Sequence, residues 1–273
     1  MSRGAGEMVA EAPGVAVRSS ENAQTAPLTG TIVRRMNAKF PPVLGPQGAL
    51  EPIFTDVHRV WGSVKLAPPI RITRNMVVIT HGGELSIIGA VRLRTAEEKR
   101  LEALGEIKHL IKLGTHGMDD AYYRDRYGAK LWALPKARLT EGLTVDEELR
   151  EDRLPVPDAK LFVFEHTVAP EAALLLERDG GVLITCDSVQ HWTNTAGCSL
   201  MAKLATRFMG FMKPAQIGPP WRKAMTPEGG SLQPDFERLA ALPFAHLVGG
   251  HGGVLRDQAR ERLAETILRV YGA

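Results

Sequence analysis

Four loops of this sequence carry side chains that can bind a metal ion. His116 stands in one with Asp119 and Asp120, while His166, Asp187 and His251 each occupy another. Imidazole nitrogens and carboxylate oxygens are the donors that zinc, iron and manganese accept. Only two cysteines are present, Cys186 and Cys198, too few for a thiolate-rich structural zinc module or a disulfide framework. The chemistry suggested is that of an ion with open positions. Such an ion lowers the pKa of bound water and polarises a carbonyl or phosphoryl oxygen.

Each of these residues directly follows a predicted strand. The hydrophobic pattern predicts strands over residues 107–113, 160–165, 182–186 and 246–248, which end just before His116, His166, Asp187 and His251 respectively. Further strands are predicted over 57–62, 72–80, 84–90, 130–134 and 172–177, with Gly-rich turns at residues 81–83 and 179–181. Helices are expected after Thr95, through a Thr95–Glu98 capping box, around Tyr122, Tyr123 and Tyr127, over 199–212 and 235–241, and at the C-terminus on a Leu263, Ile267, Val270 stripe. Strands alternating with helices indicate an α/β fold, in which strand ends line up along one edge.

Taken in order, the loops resemble the metallo-β-lactamase superfamily from about Val57 onward. Its first signature, T-H-x-H-x-D-H, is matched by Thr115-His116-Gly117-Met118-Asp119-Asp120-Ala121. Its second, a His followed by a hairpin ending in G-D-[ST], is matched by His166-Thr167 and then Thr185-Cys186-Asp187-Ser188. Its third, G-H-G, is Gly250-His251-Gly252. The resemblance implies a four-layer αββα sandwich over residues 50–273. It implies His116, His166 and Asp187 around one metal, and Asp120, Asp187 and His251 around a second. Met118 and Ala121 replace two nitrogen donors of that pattern, which leaves a reduced set suited to one divalent ion, zinc before iron or manganese, or to none. Asp120 would orient or deprotonate the bound water. The activity implied is hydrolysis of an ester, lactone, thioester or similar small molecule. The alternative is a non-catalytic relative that binds a ligand or partner at the same edge.

Each residue also has a plainer reading. His116, Asp187 and His251 could cap strand ends, Asp119 and Asp120 could cap the tyrosine helix, and His166 could be a satisfied core histidine. His191 and Trp192 open a long insertion and could line a pocket mouth or simply pack. In the 199–212 helix, Leu200, Leu204, Phe208 and Phe211 are expected to pack as core or lid, and Arg222 and Lys223 could meet an anionic group. A net charge of +3, spread along the chain, gives no basic stripe, so no nucleic-acid partner is expected. No membrane partner is expected either, because folded elements flank the insertion. Residues 1–40 read as a disordered tail without a secretory h-region, and with so few cysteines a cytoplasmic setting is expected.

Overall fold

The run Ala172–Leu176 contains only alanine and leucine, and all its residues are buried. A strand of this kind needs apolar cover on both faces. Ala172, Leu174 and Leu176 join a cluster with Val77, Ile79, Ile111 and Trp132. Ala173 and Leu175 join another with Trp221, Phe236, Leu239 and Leu263. The two-residue alternation of one strand thus separates two cores.

The computed structural model describes residues 39–40, 42–140 and 142–272. The chain divides into Met1–Pro42 and Val43–Ala273, and every element below belongs to the second unit. The tail expected over residues 1–40 lies outside the described residues, apart from Lys39 and Phe40.

The first sheet has seven strands in sequence order: β1 (Glu51–Phe54), β2 (Val57–Ala67), β3 (Ile70–His81), β4 (Glu84–Ile88), β5 (Glu106–Lys112), β6 (Lys130–Ala133) and β7 (Glu147–Glu148). Its first four strands are antiparallel and the rest add in parallel. The parallel steps need crossovers, and helices α1 (Thr95–Glu102) and α2 (Asp120–Tyr127) carry two of them. The second sheet uses β8 (Ala159–Val163), β9 (Ala172–Leu176) and β10 (Val182–Thr185). A small ribbon of β11 (Val189–Gln190) and β12 (Gln216–Ile217) follows, with helix α3 (Leu200–Phe208) between its strands. Helices α4 (Pro219–Met225) and α5 (Gln233–Ala240) then lead to β13 (His246–Val248), β14 (Val254–Leu255) and the closing α6 (Ala259–Tyr271). The second sheet runs β14-β13-β10-β9-β8. One core lies between the sheets, and the other lies between the second sheet and helices α4 to α6. With α2 packed on β5 and β6, the layers are α, β, β, α.

Several local expectations change. Thr95 begins α1, but its N-cap is Arg94 without a side-chain cap, so no capping box forms. Glu98 instead accepts hydrogen bonds from the Tyr122 and Tyr127 hydroxyls at 2.5 and 2.9 Å. Buried hydroxyls need an acceptor, whereas a helix-end amide can use water. Asp119 occupies the N-cap position of α2 without capping it. Its carboxylate pairs with Arg74 and accepts the Arg92 amide at 2.9 Å, because a buried guanidinium requires a counter-charge.

The apolar stripe of α3 is inverted relative to expectation. Leu200, Leu204 and Phe208 are 73, 49 and 87% exposed, and Ala202 and Thr206 are the buried residues. Their small side chains let the helix lie close to the first sheet, and its start is pinned where the Ser199 amide donates to the Arg71 carbonyl at 2.9 Å. Only Phe211 packs inward, against Trp192.

Candidate metal centre

Register explains why Asp187 and His251 meet. Neighbouring strands β10 and β13 are parallel, with Ile184 opposite Val248. Asp187 and His251 each lie three residues beyond that pair, so they leave the sheet at the same edge. The Gly250 amide donates to the Cys186 carbonyl at 2.8 Å, and Asn75 of β3 clamps the loop through the Gly249 and Gly252 carbonyls at 2.8 and 3.1 Å. His116 arrives from the other sheet, just beyond β5. A Cβ on Gly250 would stand 2.8 Å from the His116 ring and 2.6 Å from the Cys186 carbonyl, so glycine is the residue that allows this approach.

Asp187 lies between the two imidazoles. His116 Nε2 is 3.2 Å from its Oδ2, and His251 Nε2 is 3.1 Å from its Oδ1. The rings meet edge to face, 4.8 Å apart. Burial opposes charge on Asp187, yet the imidazoles of His116 and His251 hold its carboxyl well below the usual range. Burial lowers the pKa of His116 despite the neighbouring carboxylate, which favours a neutral imidazole.

His251 Nδ1 lies 2.5 Å from the Thr73 carbonyl oxygen, which can only accept. Nδ1 therefore carries the proton, and in a neutral ring the lone pair of Nε2 faces the Asp187 carboxylate. Two acceptors at 3.1 Å need a cation between them or a second proton on the ring. Backbone-fixed Nδ1–H is also the arrangement that presents a metal-ligating histidine. The donor set fits a divalent ion.

Cys186 is a donor that sequence reasoning did not single out. A ligand atom from each of His116, Cys186 and Asp187 lies within 4.8 Å of the others. Burial, with Asp187 and Glu171 nearby, pushes its thiol well above the usual value. Its signal was adjacency to Asp187 at the strand end. Glu171 was missed as well. It is fully buried, and burial followed by the Asp187 charge raises its pKa strongly. A Cβ on Gly114 would stand 2.1 Å from Glu171 Oε2 and 3.1 Å from Cys186 Cβ, which locates the carboxyl against the floor of the site. Its signal was one acid heading a wholly apolar strand.

The other expected residues stand apart from this cluster. His166 is half-exposed and its Nδ1 lies 3.2 Å from Asp235. It groups with Glu165 and Asp235 instead of with His116 and Asp187. Asp120 is buried against Gly117 of the His116 loop, where a Cβ would stand 2.0 Å from its Oδ2 and 2.8 Å from Lys112 Nζ. Burial pushes its carboxyl up to about 6, against the pull of Lys112 and Arg74. Lys112 also holds the loop by donating to the His116 carbonyl. Met118 faces outward, 61% exposed. His191 bridges to Gly252 through the backbone, and the Trp192 ring stacks on His251 at 5.8 Å. Behind the Gly252 side of the loop opens a cleft of about 310 Å³, bordered by Arg59, Trp61, Thr73, Asn194 and Arg256.

No family model matches the chain, and no curated protein does. Solved structures do. VMB-1 is similar with a TM-score of 0.57 at 13% identity, over 82% of this chain and 99% of that one. A metallo-β-lactamase from Hirschia baltica has a TM-score of 0.54 at 15% identity, over 82 and 98% of the two chains. The metallo-β-lactamase FIM-1 from Pseudomonas aeruginosa, solved in a mono-zinc form, has 0.54 at 13% identity, over 84 and 97%. The fold is that of the metallo-β-lactamases, a four-layer αββα sandwich.

Proposed function

We propose that the protein is a metal-dependent hydrolase of an ester, lactone, thioester or similar small molecule, with one ion held by His116, Asp187 and His251. The carrying observation is the His251–Asp187 contact, in which an imidazole fixed by the Thr73 carbonyl turns its other nitrogen onto a carboxylate. Cys186 is the nearest further donor. A bound zinc, iron or manganese ion would supply an acidified water and a Lewis acid for the scissile carbonyl.

The protein's own groups have separate tasks in this reading. Trp192 covers one face of His251 and keeps water from it. Asp120 remains the general-base candidate, with a carboxyl that changes charge near pH 6. Lys112 fixes the His116 loop. The cleft beside Gly252 has room for a small-molecule substrate, and its polar border favours one with hydrogen-bonding groups.

The test is metal analysis of protein purified without chelator, followed by an ester, lactone and thioester screen. Near-stoichiometric metal that disappears in Asp187→Ala, together with turnover of one substrate class, supports the reading. Folded, metal-free protein whose melting temperature is unmoved by added zinc, iron or manganese overturns it. That result would favour the binding-module alternative, which the outward-facing Met118 and the donorless Ala121 support.

A further inference from the structure

Apolar side chains crowd the outer surface around α3. Leu200, Met201, Leu204, Phe208, Met209 and Met212 are all between 39 and 87% exposed. Leu66, 63% exposed, lies near the tip of the β2–β3 hairpin, and α3 packs against its strand β3. Core formation does not account for this face, since Ala202 and Thr206 make the inward contacts. A contiguous apolar patch on a protein surface marks an interaction site.

Charge identifies the partner. Residues 57–83 and 188–227, which supply the hairpin and the insertion bearing α3, hold nine of the chain's 34 basic residues and none of its 31 acidic ones. Lys65, Lys203, Arg207 and Lys213 are exposed around the patch, with no ion-pair partner among the described residues. The remainder of the chain is correspondingly acidic. An amphipathic helix with basic residues flanking its apolar face is the form that lies in a membrane interface, where the apolar side chains enter the acyl boundary and the cations meet anionic headgroups. A symmetric pair of these chains is disfavoured. An isologous contact would set each basic rim against its own copy, with no carboxylate in either segment to neutralise it.

We propose that α3 and the β2–β3 hairpin tip form a docking surface for anionic lipid bilayers. Among the described residues no helix is long and apolar enough to cross a membrane. The inference reverses the sequence expectation of no membrane partner. That expectation rested on the folded elements flanking the insertion, and the stripe, expected to pack as core or lid, faces out. Trp192, which with Cys198 packs against Ala202 of α3, also stacks on His251, so docking would set the metal centre one side chain behind the bilayer-facing layer.

Co-sedimentation of the full chain with phosphatidylcholine vesicles, and with mixed phosphatidylcholine–phosphatidylglycerol vesicles, tests the proposal. The wild type should partition to the mixed vesicles at least about tenfold more strongly, and salt should weaken that preference. The pairs Leu204→Ser with Phe208→Ser, and Lys203→Glu with Arg207→Glu, should each lower partitioning about tenfold or more. All four positions are exposed, so circular dichroism and melting temperature should stay at wild-type values. In Phe208→Trp, mixed vesicles should shift the added indole emission to the blue. Three results overturn the proposal: no binding to mixed vesicles, binding that survives both double variants, or a wild-type dimer that Leu204→Ser with Phe208→Ser converts to monomer.

Discussion

Two imidazole–carboxylate clusters in this fold use the same residue types and reach opposite outcomes. In one, Asp187 lies between His116 and His251 under substantial burial, with no lysine or arginine of the described residues paired to it. In the other, Asp235 is fully buried and receives His166, the amides of Glu165 and His166 at 3.1 and 2.9 Å, and Arg238 at 2.7 Å. Arg238 also reaches Glu165 at 2.9 Å. The second cluster carries its own cation, and burial of Asp235 is offset by Arg238 and the two amides, which keep its carboxyl below the usual range. The first cluster lacks an equivalent. A divalent ion can take that place.

Four substitutions probe the contrast. Asp187→Asn should abolish metal binding, read as metal content at background and loss of any metal-induced rise in melting temperature. Retention of stoichiometric metal would remove the basis for distinguishing the clusters. Asp235→Ala should leave metal content unchanged but cost about 3 kcal/mol of stability in denaturant unfolding, since two amides and a guanidinium lose their buried acceptor. Metal loss without destabilisation would exchange the roles of the two sites.

Asp120→Asn should act through pH. The folded pKa of about 6 exceeds the unfolded value of 3.8. Folding therefore takes up a proton between these values, and stability from this group is present below pH 3.8 and lost as pH rises to about 6. In metal-free protein the asparagine variant should gain roughly 2 kcal/mol at pH 7 and have a flatter stability profile over that window, after allowing for the lost attraction to Lys112. Equal stability of the two proteins at pH 5 and pH 7 would contradict the burial argument. If Asp120 is the general base, the variant also loses the limb of the rate profile that rises through pH 6. The smallest effect is expected for His166→Ala, whose side chain is half-exposed. Stability should fall by less than about 1 kcal/mol, and metal affinity should stay within twofold. A hundredfold loss of affinity would return His166 to the metal shell.

Much of the architecture was legible because burial writes period into sequence. The all-apolar Ala172–Leu176 strand, the Gly-rich turn at residues 82–83 and the β13 segment follow from hydrophobic runs and turn chemistry that depend on near neighbours alone. The loops bearing His116, Asp187 and His251 were legible because each directly follows such a run. The sense of the α3 stripe was not, since an amphipathic pattern specifies that one face differs from the other and leaves open which is covered. Asp119 was equally ambiguous, its partner Arg74 lying 45 residues away.

The sequence alone determined the order of the longer strands and of most helices, and the donor types that could gather at one edge, because both rest on local patterning and side-chain chemistry. The short strands β1, β7, β11, β12 and β14, and the helix α4 where a turn was expected, carry too few residues to show a period. Tertiary structure decided which donors share a point. The β10–β13 register brings Asp187 and His251 together, while Asp235 and Arg238 of α5 hold His166 in a separate cluster. Only folding fixes such distances, since they depend on strand pairing and on which buried charge meets which counter-charge.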